Sequence, residues 1–156
     1  LVDTTGSRVT RVRLSDDADR AEHLELEAFE VSLAVRIATD RMTADERAQC
    51  IDVLDEVITS VRSGREPDAR SAWSRFRHTV ATCAGNRLLS DLLRSLETTS
   101  GREAGFPPGC SAGGSTAACL RRLRAAIRSN DPDGAEAAAR LLYRGDVVGP
   151  AVGVSA

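Results

Sequence analysis

The chain has 156 residues, enough for one domain with one core, and 42% of them are hydrophobic while only 3% are aromatic. A core so poor in rings must be built from Leu, Val, Ile and Ala, which favours helices over sheets. A net charge of −2 excludes a chain that binds polyanions through bulk charge, and the 21 basic residues, all Arg, reflect composition more than chemistry.

Residues 1–14 differ from the rest of the chain. Val9, Val12 and Leu14 with interleaved Arg and Thr predict extended chain, and Thr4-Thr5-Gly6-Ser7 predicts a turn. From Asp16 the pattern becomes helical. Asp16 or Asp17 can cap a first helix carrying Leu24, Leu26, Phe29, Leu33 and Ile37, and Val31, Ala34, Val35 and Ala38 widen its apolar face. Such a helix is expected at the centre, contacted on several sides. Thr43 and Glu46 have the spacing of a capping box, opening a second helix with Ile51, Leu54, Ile58 and Val61, stopped at Gly64. Pro67 suits the first turn of a third helix, whose stripe is Ala69, Ala72, Trp73, Phe76, Val80 and Cys83. Gly85 breaks that helix. Asn86 can cap a fourth, with Leu88, Leu89, Leu92, Leu93 and Leu96.

Residues 100–116 are rich in Gly and Pro and predict a loop. Ser115 or Thr116 restarts a fifth helix with Leu120, Leu123 and Ile127. A turn and cap at Asn130–Asp133 lead into a last helix with Ala135, Ala138, Ala139, Leu141 and Leu142. The tail at 146–156 has no periodicity. The expected fold is all-α, an antiparallel bundle of about six helices with a short extended N-terminal segment.

The search for chemistry is largely negative. The cysteines at 50, 83, 110 and 119 form no Cys-x-x-Cys pair and read as reduced apolar residues. No signal peptide and no membrane-length apolar run is present, so a cytoplasmic location is expected. Of the two histidines, His23 stands between Asp19 and Glu27 at the spacing of an exposed ion pair, and His78 has no carboxylate one turn away. No nucleophile, acid and base converge, so no catalytic residue and no enzyme activity is expected. Arg8, Arg11 and Arg13 could touch phosphates only as part of a DNA-binding unit, and Arg121, Arg122 and Arg124 read as a solvated face.

Three segments taken in order, LEAFEVSLAVRIATDRMTADE at 26–46, FRHTVATCAGNRLL at 76–89 and AIRSNDPDGAEAA at 126–138, resemble the C-terminal effector-binding and dimerisation domain of the GntR superfamily, the FCD type of the FadR subfamily. The resemblance implies that 1–14 is the remnant of a winged-helix wing or linker, 15–145 the effector-binding helical domain and 146–156 a C-terminal tail. It implies a homodimer that senses a small molecule and reaches DNA only through an N-terminal winged helix not contained in this chain. Many members of that family hold a divalent metal through an Asp and a His one helical turn apart and two further His. Here those positions fall on Trp73, Arg77, Leu120 and Leu142, and the Arg of the family's first helix falls on Leu26. None of these is an ordinary metal ligand, so no metal and no cofactor is expected. The five residues are instead expected to line an apolar pocket in which Arg77 anchors an organic anion. In the alternative, leucines fill the pocket, Arg77 snorkels to solvent, and the domain is a purely structural all-α dimerisation module.

Overall fold

A computed structural model describes residues 17–99 and 114–143. Six helices account for them: α1 (Asp17–Arg41), α2 (Ala44–Arg62), α3 (Glu66–Ala84), α4 (Arg87–Thr99), α5 (Gly114–Arg128) and α6 (Pro132–Tyr143). The described residues contain no strand, as the all-α reading requires. The wing-like segment 1–14, most of the Gly/Pro-rich loop, Cys110 and the tail lie outside the described residues, as does the side chain of Leu96.

Local chemistry explains the helix ends. The Thr43 hydroxyl accepts from the Glu46 amide at 3.3 Å, and the Glu46 carboxylate accepts from the Thr43 amide at 2.8 Å, closing the capping box that starts α2. Pro67 sits in the first turn of α3, and Gly85 ends that helix in the left-handed region at φ 60°. Asn86 Oδ1 accepts from the Leu89 amide at 3.2 Å to start α4, and Asp131 Oδ1 accepts from the Gly134 amide at 2.9 Å to start α6.

The helices close a ring in which α1 packs against α3, α3 against α2, α2 against α5, α5 against α6, and α6 back against α1. The remaining helix, α4, rests against α1 and α3. The short links make α2–α3 and α5–α6 neighbours, as expected. The pair α1–α2 departs from that rule: two residues join them, yet they do not pair extensively along their lengths. Arg47 shapes this corner. Its Nη1 donates to the carbonyl of Ile127 at 2.7 Å, and its Nη2 donates to Asn130 Oδ1 at 2.8 Å and, at longer range, to the carbonyls of Met42 and Thr39. One guanidinium thus satisfies orphan carbonyls near the C-terminal ends of α1 and α5.

Inside the ring lie Trp73, Phe76, Leu54, Leu120, Leu123, Ile127, Val31 and Val35, all shielded from solvent. Trp73 and Phe76 stack with centroids 5.1 Å apart. The core face of α1 differs from the stripe read in the sequence. Val31, Ala34, Val35 and Ala38 are fully buried, whereas Leu26 and Phe29 are 45% and 54% exposed. Helix α1 does occupy a central place, against α3, α4 and α6, but its orientation is rotated from the one its largest side chains suggested.

Candidate ligand-binding site

The interior of the bundle holds three charged side chains that apolar patterning does not account for. Glu27 and Glu30 on α1 are each 1% exposed, and Arg77 on α3 is 2% exposed. Arg77 Nη1 donates to Glu27 Oε1 at 2.5 Å, an ion pair that joins the two helices across 50 residues of sequence. In α1, positions 23, 27 and 30 follow the i, i+4, i+7 spacing that aligns side chains along one face. Glu27 therefore has His23 one turn before it and Glu30 one turn after it, all turned toward the α3 guanidinium.

The electrostatics follow from burial. Neither carboxylate oxygen of Glu30 has a hydrogen-bond partner. Burial pushes its pKa up from 4.5 to about 6, against the opposing pull of Arg77. His23, half-buried, is held below its usual value by desolvation and then by repulsion from Arg77, so it is neutral at pH 7. The spacing of His23 with Glu27 does not make an exposed ion pair, because Glu27 is buried and bonded to Arg77. Arg77 does not snorkel to solvent either, because an internal carboxylate compensates its charge.

Among the sequence-derived site residues, Trp73, Leu120 and Leu142 are in the core at 0%, 0% and 2% exposure, and Arg77 is buried as well. Leu26 lies on the outer side of α1. A cavity of about 130 Å³ opens between α3 and α4, lined by Arg77, His78, Ala81, Ser90, Leu93 and Arg94 among others. A larger open groove, about 610 Å³, runs between α2 and α3. Its charged rim is largely self-paired: Glu56 with Arg75, Arg65 with Asp68 at 3.0 Å, and Asp55 with Arg124 of α5 at 2.5 Å. Of the five expected lining residues, Arg77 borders the smaller of these two cavities and the other four border neither.

Among the described residues, no group of three or more His, Cys, Asp or Glu could hold a metal ion. His78 is exposed and its Nδ1 lies 2.8 Å from the carbonyl of Ser74, its own helix. Cys50 is fully buried and its thiol is pushed up to about 12, chiefly by desolvation and then by the nearby Cys83, so it carries almost no thiolate. No helix among the described residues is long and apolar enough to cross a membrane.

Sequence reasoning located Arg77 and missed its partners. Glu27 and Glu30 flank no local Arg, and their pairing is made only by the packing of α1 on α3. The available signal was two carboxylates three residues apart within a helix that is otherwise apolar on several sides.

Comparisons with known proteins agree with this architecture. The family model described as the FCD domain matches residues 23–145. A solved structure of E. coli McbR/YncC superposes with a TM-score of 0.66 at 15% identity, covering 83% of this chain and 67% of that one. That likeness is one of fold. No curated protein matches the sequence significantly.

Proposed function

The chain belongs to the FCD domain family, and from that premise we propose that it is the ligand-sensing and dimerisation domain of a bacterial, cytoplasmic transcriptional regulator of the GntR/FadR type, acting without a catalytic step. The family match over 23–145 carries this reading. In it, residues 15–145 form the sensing domain, and DNA is reached through a winged-helix unit to which the wing-like residues 1–14 would belong. A small molecule bound between the helices biases the placement of two DNA-binding heads through its different affinity for two arrangements of the dimer.

The site works without a metal in this proposal. Trp73, Leu120 and Leu142 replace ligating side chains with apolar ones, and the Arg77–Glu27 pair occupies the interior instead. An organic anion fits the small cavity between α3 and α4, where Arg77 and Arg94 supply charge and Ser90 a hydroxyl. Homodimerisation is supported by apolar side chains left in solvent on two helices that touch, Leu26 and Phe29 on α1 and Leu88 and Leu92 on α4.

A thermal-shift panel of short mono- and dicarboxylates, with sedimentation velocity on the same samples, tests the reading. The expected result is a dimer with saturable stabilisation by one anion class, weakened by Arg77→Lys and Arg94→Ala. Arg77→Lys keeps the charge beside Glu27 but loses the guanidinium fork. A dimer that no small molecule stabilises would instead mark a purely structural module.

A further inference from the structure

We propose that the molecule sensed in the cavity between α3 and α4 is a short hydroxycarboxylate, an acid of about three or four carbons whose hydroxyl donates to Ser90. The inference rests on the organic-anion reading above and names the class of anion that the cavity requires.

Three kinds of group line that cavity. Buried Arg77 and exposed Arg94 are cationic, and no carboxylate is among the described residues that line it. Ala81 and Leu93, both buried, give it an apolar wall. The hydroxyls of Ser90 and Thr82 complete it, and each has already committed its one proton. Ser90 Oγ donates to the carbonyls of Ala81 at 3.2 Å and Asn86 at 3.1 Å, and Thr82 Oγ1 donates to the carbonyl of His78 at 2.9 Å. The commitment of Ser90 follows from the way α3 ends. Gly85, in the left-handed region, sends its amide to the Thr82 carbonyl rather than to Ala81 four residues back. The Ser90 proton thus serves the last turn of α3, where carbonyls lose their helical partners. Both hydroxyls present oxygen lone pairs to a ligand.

A molecule that meets all three carries a negative group for the guanidiniums, a short apolar chain and an O–H donor. Ser90 and Arg94 stand one turn apart on α4, so acceptor and cation share a face. The volume of about 130 Å³ sets the size. A cavity of about 150 Å³ holds a benzene ring, and a three-carbon hydroxy acid has the same number of heavy atoms. Other anions fit less well. A plain fatty acid gives the two hydroxyl oxygens no donor. An amino acid places its ammonium among guanidiniums. Sulfate or phosphate offers no apolar surface to Ala81 and Leu93.

The test compares butyrate, 3-hydroxybutyrate (both enantiomers) and 3-aminobutyrate, which share one carbon skeleton, by amide-detected NMR titration of the full chain at pH 7.5. One enantiomer of 3-hydroxybutyrate is expected to bind about fivefold more tightly than butyrate, as for one net hydrogen bond. The amino acid should bind weakest, and the shifts should centre on Ser90. Ser90→Ala should shrink the preference for the hydroxy acid, and Ser90→Ala with Thr82→Val should abolish it, while Arg94→Ala weakens both acids. The inference is overturned if the wild type binds 3-hydroxybutyrate no more tightly than butyrate, if the double variant keeps the preference, or if 3-aminobutyrate binds best. The wild-type comparison decides alone where a variant does not fold. Binding of butyrate and 3-hydroxybutyrate with equal affinity sinks the hydroxycarboxylate and leaves the organic-anion reading standing. Failure of every acid to bind counts against both.

Discussion

Glu27, Glu30 and Arg77 form a buried system in which the guanidinium serves two carboxylates unequally, bonded to one and only near the other. That asymmetry predicts unequal costs. Arg77→Met leaves two uncompensated carboxylates and should destabilise by about 3–5 kcal/mol. Glu27→Leu should cost clearly less, because Glu30, one turn along the same helix, inherits the guanidinium. Urea denaturation of both variants at pH 7.5 checks the order, and equal losses would show that Glu30 is not coupled to Arg77. Glu30 also ties stability to pH. Its folded pKa lies above its ordinary value, so the folded state holds this proton more tightly than the unfolded chain does. Its contribution is most favourable below 4.5 and is lost as pH rises through about 6, a change of roughly 2 kcal/mol. Glu46 and Glu136, held low by hydrogen bonds to Thr43 and Arg36 respectively, act in the opposite sense. The difference between wild type and Glu30→Gln isolates the effect. Relative to wild type, the variant should gain roughly 2 kcal/mol between pH 4 and pH 7.5, and a difference that does not change with pH would contradict the assignment.

At the scale of the helices, the sequence was most legible where one face alone is apolar and the ends are capped. The stripe of α3 at Ala69, Ala72, Trp73, Phe76 and Val80 is buried as its spacing implies, with Cys83 at its end only partly so, and caps form at Thr43, Asn86 and, within the Asn130–Asp133 turn, Asp131. Helix α1 was harder. It carries apolar residues on every side, so periodicity does not fix its rotation. Glu27 and Glu30 look like markers of a solvent face, and only Arg77, contributed by another helix, reverses that. Long-range pairs leave no local signature. Arg47 is a second case, since its partners lie at the far end of α5 and in the α1–α2 corner, and nothing in its neighbourhood announces them. Arg47→Ala should therefore cost about 2 kcal/mol, more than an ordinary surface arginine, because charged donors leave the Ile127 carbonyl and Asn130. Chemical denaturation measures it. Arg122→Ala, at an exposed position of α5, serves as the control expected to change little.

For the whole molecule, the fold and the family were readable because three ordered segments bring α1, α3–α4 and α5–α6 into one frame, and residues 23–145 match that frame. The site was readable only in outline. The positions named by the resemblance led to Trp73, Arg77, Leu120 and Leu142, all now placed in the interior, and to Leu26, which the rotation of α1 turns outward. The ion pair of Arg77 with Glu27 was not readable from those positions. On the proposed reading, this member retains the FCD scaffold while a buried carboxylate–guanidinium system stands in place of a metal centre. Elemental analysis of the protein purified without chelators, after incubation with Zn²⁺ or Ni²⁺ and removal of excess metal, puts that substitution to the test. Well below one equivalent of either metal per chain is expected, whereas one tightly held equivalent would contradict it.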